Sequence, residues 1–368
     1  MTKNQVNPTK KNPARPAKTR AGFVAILGAP NAGKSTLLNR LIGQKVSIVS
    51  PKAQTTRMRT LGIMSEGDVQ ISFIDTPGIF APKRRLDRAM VRAAWDSLED
   101  ADAVVLLVDA AARKENEKIA AIIDELRQRF SKTNEKEKRP SPLRGEVGEE
   151  GSPAKAMFEM TNIASSPLPP PPAPSLKGRG RKLPAVILAL NKVDAVVPGK
   201  LLSQTAELND AGIFSDVFMI SALTGDGVED LKKHLKSLMP ESPWYYGEDQ
   251  VSDLPSPILA AEMTREQLYR QLQQELPYAA AVLPESLEEK RDGSVVIRQT
   301  IVVARANHRP IVLGKNGVRI KSIGEKARAE IARLFDRKVH LFLEVKADEK
   351  WQDRPDFYSA FGLDYGKK

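Results

Sequence analysis

The chain has 368 residues, with 57 Lys and Arg against 46 Asp and Glu, a formal net charge of +11 and a pI near 9.6. Its length exceeds one ordinary core and implies two or three domains, and the absence of cysteine excludes disulfides and thiolate metal sites. The excess of positive charge points to a polyanionic partner, nucleic acid or an acidic membrane surface, without choosing between them.

Residues 1–20 carry Lys3, Lys10, Lys11, Arg15, Lys18 and Arg20 with no acid, and read as a disordered basic arm. The apolar run AGFVAILGA that follows imitates a secretory signal. It leads straight into a phosphate-binding loop, however, and so reads as a buried first strand. No stretch is long and apolar enough to span a bilayer.

From 21 to 130, strand-like runs alternate with helical patterns: strands at 23–27, 69–75 and 103–110, helices at 35–43, 84–100 and 118–130. Continuous Val, Ile and Leu runs alternating with helices predict an α/β domain, a mainly parallel sheet with helices on both faces. The pattern breaks at 131–182, a tract rich in Pro, Gly and charge that cannot bury enough surface to offset chain entropy and is expected to be disordered. It resumes with strands at 184–191 and 216–222 and helices near 199–211 and 227–239. The tract is therefore an insertion within one domain, 21–240. SPLRGEVGEEG and SPLPPPPAPSLKGRG read as the two arms of a translated palindromic DNA repeat, a hypothesis that coding DNA without inverted complementarity would remove.

A linker at 241–257 precedes a change of order: a helix (258–276), strands at 278–289 and 294–305, helices on either side of Gly314–Gly317, and a strand at 339–346. This is a separate small α+β domain over 258–346, followed by a tail, 347–368.

Gly28-Ala29-Pro30-Asn31-Ala32-Gly33-Lys34-Ser35, followed by Thr36, matches GxxxxGK[ST] after a strand and at the start of a helix. Glycines let backbone N–H groups wrap phosphates, Lys34 reaches the β- and γ-phosphates, and the Ser35 hydroxyl binds Mg2+. Asp75-Thr76-Pro77-Gly78 ends a strand, where Asp75 can hold Mg2+ through water and the Gly78 N–H can sense a γ-phosphate. Asn191-Lys192-Val193-Asp194 ends another. Its Asp194 can accept guanine N1–H and the 2-amino group, which adenine lacks, while Asn191 braces the loop and the Lys192 stem covers the purine. Ser221-Ala222-Leu223 ends the next strand and can offer the Ala222 N–H to guanine O6. Four motifs in order at strand carboxyl ends identify a P-loop GTPase domain. Gly78 and Asn191 lie 113 residues apart, and removing the insertion leaves about 60, an ordinary connection.

Between the first two motifs, PKAQTTR at 51–57 reads as a switch loop whose threonine, Thr56 in preference to Thr55, binds Mg2+ when a γ-phosphate orders it. Ile79 stands where a water-orienting Gln is expected, so unaided hydrolysis should be slow. Gly314-Lys315-Asn316-Gly317 between helices fits the GxxG loop of a KH domain. Glycines admit phosphates there, and Lys315, Arg319 and Lys321 add charge.

Together, GAPNAGKSTLLN, PKAQTTR, DTPG, NKVD and SAL, followed by a KH module with GKNG, resemble the bacterial Era GTPases over about 21–130 and 183–365. The resemblance implies a Ras-like domain joined to a type II KH domain and use of Mg2+. It also implies binding of the 3′ region of 16S rRNA, assistance to late assembly of the 30S subunit, and a cytoplasmic protein that can contact the acidic inner membrane peripherally. Asn31 resembles the asparagine of potassium-stimulated relatives, so K+ is a further candidate, and a monomer is expected. An alternative is a non-catalytic RNA-binding assembly factor with GTP as a structural ligand.

Overall fold

The computed structural model describes residues 18–52, 55–82, 85–98, 101–112, 116–137, 184–360, 363 and 365. Most of the basic arm, residues 138–182 of the insertion and the palindromic-repeat reading lie outside the described residues.

Buried Val, Ile and Leu runs form most strands of the first domain: β1 (Arg20–Leu27), β3 (Val69–Asp75), β4 (Ala103–Asp109) and β5 (Ala185–Asn191). With β2 (Thr60–Glu66) and β6 (Asp216–Met219) they make one sheet in the order β2-β3-β1-β4-β5-β6. Only β2 is antiparallel to its neighbour; the other pairings are parallel. Leu37 and Leu38 of α1 (Lys34–Ile42) and Leu231 and Leu235 of α5 (Val228–Leu238) pack one face against Val24, Ile26 and Ile71. Trp95 of α2 (Arg85–Asp96) and Ile122 and Leu126 of α3 (Asn116–Glu137) pack the other, with Leu208 of α4 (Pro198–Asn209). Parallel order with crossover helices gathers the carboxyl ends of β1, β3, β4 and β5 on one edge, where the motif loops lie.

Three boundaries differ from expectation. Helix α3 runs to Glu137, beyond the expected start of the disordered tract at 131, because KTNEKE holds good helix formers and no Gly or Pro. Arg20 belongs to β1, not to the arm, since its guanidinium pairs with Asp68 at 3.1 Å. The 241–257 linker is bound to the first domain: Ile63 N–H donates to Val251 O and Leu61 N–H to Asp253 Oδ1.

The second domain pairs β7 (Ala280–Glu289), β8 (Val295–Val303) and β9 (Val339–Ala347) in that order, with β8 and β9 parallel. Helices α6 (Ser256–Gln271), α7 (His308–Leu313) and α8 (Val318–Phe335) complete the expected type II KH order. Every residue of α6 from Ile258 to Tyr269 is buried, charged ones included, because the helix lies between its own sheet and the first domain. Its buried charges are paired: Arg265 with Glu262, and Glu266 with Arg270 and with Lys45 of the first domain. The tail folds back across the boundary, with Trp351 and with Phe357 and Tyr358 of α9 (Pro355–Ala360) packed on Met58, Leu86 and Met90.

Candidate functional site

The motif loops line one cavity of about 730 Å3, bounded by Asn31, Gly33, Lys34, Ser35, Thr36, Thr56, Gly78, Asn191, Lys192, Asp194, Ala222 and Leu223. At its floor Gly33 adopts φ 98°, and a Cβ there would fall 2.3 Å from Asn191 Nδ2, so the second glycine of the loop is required by the neighbouring motif. Asn191 is 2% exposed and spans the site: Nδ2 donates to Ala32 O at 2.7 Å, and Oδ1 accepts from Ala222 N–H at 2.9 Å. This one side chain fixes the phosphate loop against the loop that follows β6. The Ala222 N–H held by this amide oxygen is the group expected to serve guanine O6. Leu223, 71% exposed, and Asp194 stand at the open end. Arg40 of α1 braces this loop by donating to the Ala222 and Leu223 carbonyls.

Lys34 lies buried under the loop, its Nζ donating to Gly28 O at 3.2 Å and Ala29 O at 3.0 Å. Ser35 Oγ lies 2.9 Å from Thr56 Oγ1 and donates to Asp75 Oδ2 at 2.8 Å. Thr55 instead donates to Lys52 O at 2.7 Å, so of the two threonines Thr56 is the one directed at the cluster. Burial pushes the Asp75 carboxyl upward, against the opposing pull of the Lys34 ammonium and the Ser35, Ser47 and Thr56 hydroxyls. Asp75 Oδ1 is buried and has no hydrogen-bond partner among the described residues. Hydroxyls gathered on Oδ2 of a carboxylate whose Oδ1 is unpartnered make an oxygen-rich set that suits a hard divalent cation. No three His, Asp or Glu side chains cluster as a metal site among the described residues, so such a cation would also need oxygens from a ligand.

Two contributors escaped the sequence reading. Ser47 donates to Asp75 Oδ2 at 2.8 Å and is set by Asn39 Oδ1, which accepts from the Val46 and Ser47 N–H groups. Asp109 ends β4 and holds Lys192 Nζ at 2.5 Å, fixing the side chain expected over the purine. A carboxylate at a strand carboxyl end, as at Asp75, was the available signal for Asp109; Ser47 gave none. Ile79 is 8% exposed and packs among Ala25, Leu27 and Trp95, so it faces the core and cannot orient water.

In the second domain, Gly314 (φ 74°) opens the GKNG turn; a Cβ there would lie 2.8 Å from Arg319 Cβ. Lys315 and Asn316 are exposed. Arg319 Nη1 donates to Ile311 O at 2.6 Å and so ties α8 to α7. Lys321 is exposed, but two residues along a helix set it about 200° from Arg319, so the two do not share a face. A groove beside the turn is lined by Arg309, Leu313, Gly314, Val345 and Lys346, of which Arg309 and Lys346 were not anticipated.

Comparison with known proteins agrees with this anatomy. A family described as 50S ribosome-binding GTPase matches residues 23–140, and a KH domain family matches residues 275–352. GTPase Era of Caulobacter vibrioides is 49% identical over 349 residues, covering 95% of this chain and 98% of that protein. A crystal structure of Era in complex with MgGDPNP and nucleotides 1506–1542 of 16S ribosomal RNA is 34% identical, with TM-score 0.72, covering 95% of this chain and 100% of that one. A single-substitution variant of Aquifex aeolicus Era bound to GDP.AlF4− is likewise 34% identical, with TM-score 0.73 and the same coverage.

Proposed function

Because the chain belongs to the Era family of GTPases, we propose that it is a GTP-hydrolysing switch that binds the 3′ region of 16S rRNA through its KH domain and assists assembly of the 30S subunit. The observation that carries this reading is the meeting of Lys34, Ser35, Thr56 and Asp75 at one end of a cavity that has Asp194 at the other, in a chain that also presents GKNG. The phosphates of GTP lie on the Gly28–Thr36 loop and the base lies against Asn191, Lys192, Asp194 and the Ser221–Leu223 loop. Ser35, Thr56 and Asp75 would hold Mg2+ together with oxygens of the nucleotide, and the ion would neutralise charge developing on the β- and γ-phosphates. Gly78 reports the γ-phosphate by its N–H.

With Ile79 turned into the core, water must be oriented by backbone or switch-loop groups, and unaided turnover is slow. Asn31, at φ 65° on the cavity wall, can offer its side-chain oxygen to a K+ ion that adds positive charge near the phosphates. The RNA follows Gly314, Lys315, Asn316 and Gly317, with its bases in the adjoining groove. No helix among the described residues is long and apolar enough to cross a membrane. We place the protein in the cytoplasm as a monomer, and its basic arm supports peripheral contact with the acidic inner membrane. Multiple-turnover phosphate release tests the reading. Turnover should need Mg2+ and rise when small ribosomal subunits are added; a rate indifferent to both would refute it.

A further inference from the structure

Thr56 and Arg57 are consecutive, yet one side chain enters the nucleotide site and the next enters the KH domain. Thr56 Oγ1 stands 2.9 Å from Ser35 Oγ and 3.3 Å from Asp75 Oδ2. Arg57, 5% exposed, crosses the domain boundary: Nη1 donates to Ala280 O at 2.7 Å, and Nη2 to Pro277 O at 3.0 Å and Tyr278 O at 3.1 Å. Its guanidinium also lies 5.7 Å from the ring centre of Tyr269 and 5.8 Å from that of Trp351. All three acceptors and both rings belong to the KH domain and its tail.

Among the described residues no carboxylate forms an ion pair with Arg57; the nearby Glu262 is already paired with Arg265. The buried cation is therefore balanced by carbonyl dipoles and aromatic faces that exist around it only while the domains are docked. A planar fork satisfying three backbone oxygens at once is a role Lys cannot reproduce. Other bridges between the domains are less direct. Lys45 pairs with Glu266 and Glu330 but lies 11 residues from Thr56, and Lys52 reaches a single carbonyl, that of Tyr269.

We propose that Arg57 is a positioning residue for GTP turnover: anchored in the KH domain, it holds Thr56 at the Ser35–Asp75 cluster, so that RNA seated on the KH domain acts on the nucleotide through this side chain. The proposal deepens the switch reading above and rests on it.

The test uses the full chain with Arg57→Ala and Arg57→Lys, and a variant on the other side of the contact, Trp351→Leu. Each is assayed for kcat and KM, for the slowing of mant-GDPNP release by Mg2+, and for the response of kcat to an RNA spanning nucleotides 1506–1542 of 16S rRNA. Arg57→Ala and Arg57→Lys should lower kcat at least about tenfold, with KM within about threefold. In both, Mg2+ should lose most of its effect on mant-GDPNP release, and RNA should still bind without changing kcat. Trp351→Leu should shift the same three readouts in the same direction, which a purely local defect at residue 57 would not do. Wild-type Mg2+ dependence and a wild-type RNA response in the Arg57 variants would overturn the proposal. So would an unaltered Trp351→Leu. Failure of the underlying reading looks different: the wild-type chain itself would neither retain mant-GDPNP nor turn over GTP.

Discussion

Asn191→Ala is the sharpest test of how the nucleotide pocket is held together. The side chain is almost fully buried and bridges two loops, donating to Ala32 O at 2.7 Å and accepting from Ala222 N–H at 2.9 Å. Truncation leaves both backbone groups buried without these partners, and each such loss costs roughly 1–3 kcal/mol. The total is then about 2–6 kcal/mol, shared between the stability of the empty domain and its affinity for nucleotide. If about 2 kcal/mol of it falls on binding, affinity for mant-GDP drops about 30-fold. Asn191→Asp separates the two contacts. It keeps an acceptor for Ala222 but sets a carboxylate oxygen against the Ala32 carbonyl, so it should be at least as damaging as alanine. Equilibrium titration with mant-GDP and thermal melting of the nucleotide-free protein measure the two shares. Affinity within about twofold of wild type together with an unchanged melting temperature would show that Asn191 is not the strut described above.

Other expectations follow from single groups. Asp194→Asn should weaken GTP at least about tenfold and favour xanthosine triphosphate, measured by competition against mant-GDP, because the guanine 2-amino group loses its acceptor; unchanged selectivity would remove Asp194 from the base site. Gly314→Asp with Gly317→Asp should abolish binding to the 16S rRNA fragment in a filter assay while leaving GTP affinity intact, and retained RNA binding would contradict the KH assignment. Burial raises Asp253 from 3.8 to about 6, with the Leu61 N–H and Arg59 opposing. A carboxyl whose folded pKa lies above its unfolded value gives stability that is full below about pH 4 and lost as pH rises through 6, here at most about 3 kcal/mol. Asp253→Asn keeps an acceptor for Leu61 N–H and cannot ionise. It should therefore match wild type in urea unfolding at pH 4 and exceed it at pH 7; equal stability at both would refute the shift.

How far the sequence could be read depended on whether a feature was local. Strands β1, β4 and β5 are largely apolar runs buried on both faces, and β1, β3 and β5 each lead into a motif whose chemistry is set by a few adjacent residues. Lys34, Ser35 and Asp75 were legible for that reason. Strand β2 was not, because TLGIMSE is broken by Gly62, which is kept small by Leu38 and Ile42 of α1 closing over it. The domain boundary was equally hidden. Arg57, Lys45 and Arg265 look like ordinary surface cations in the sequence, and only contacts between residues some 220 positions apart reveal Arg57 as buried. Helix α6 shows the same effect: Glu262, Arg265 and Glu266 would suggest a solvated face, yet the docked domains enclose them. Even within the pocket, the bond from the Ala222 N–H to Asn191 Oδ1 joins two motifs 31 positions apart, which neither motif reveals alone.

The central claim, a GTP switch whose RNA is the 3′ region of 16S rRNA, is tested most directly by crosslinking the protein to RNA in growing cells and sequencing what is recovered. Reads should concentrate at the 3′ end of 16S rRNA and be lost when Gly314 and Gly317 are both changed to Asp. Reads scattered over other RNAs, or an unchanged profile in that double variant, would contradict it.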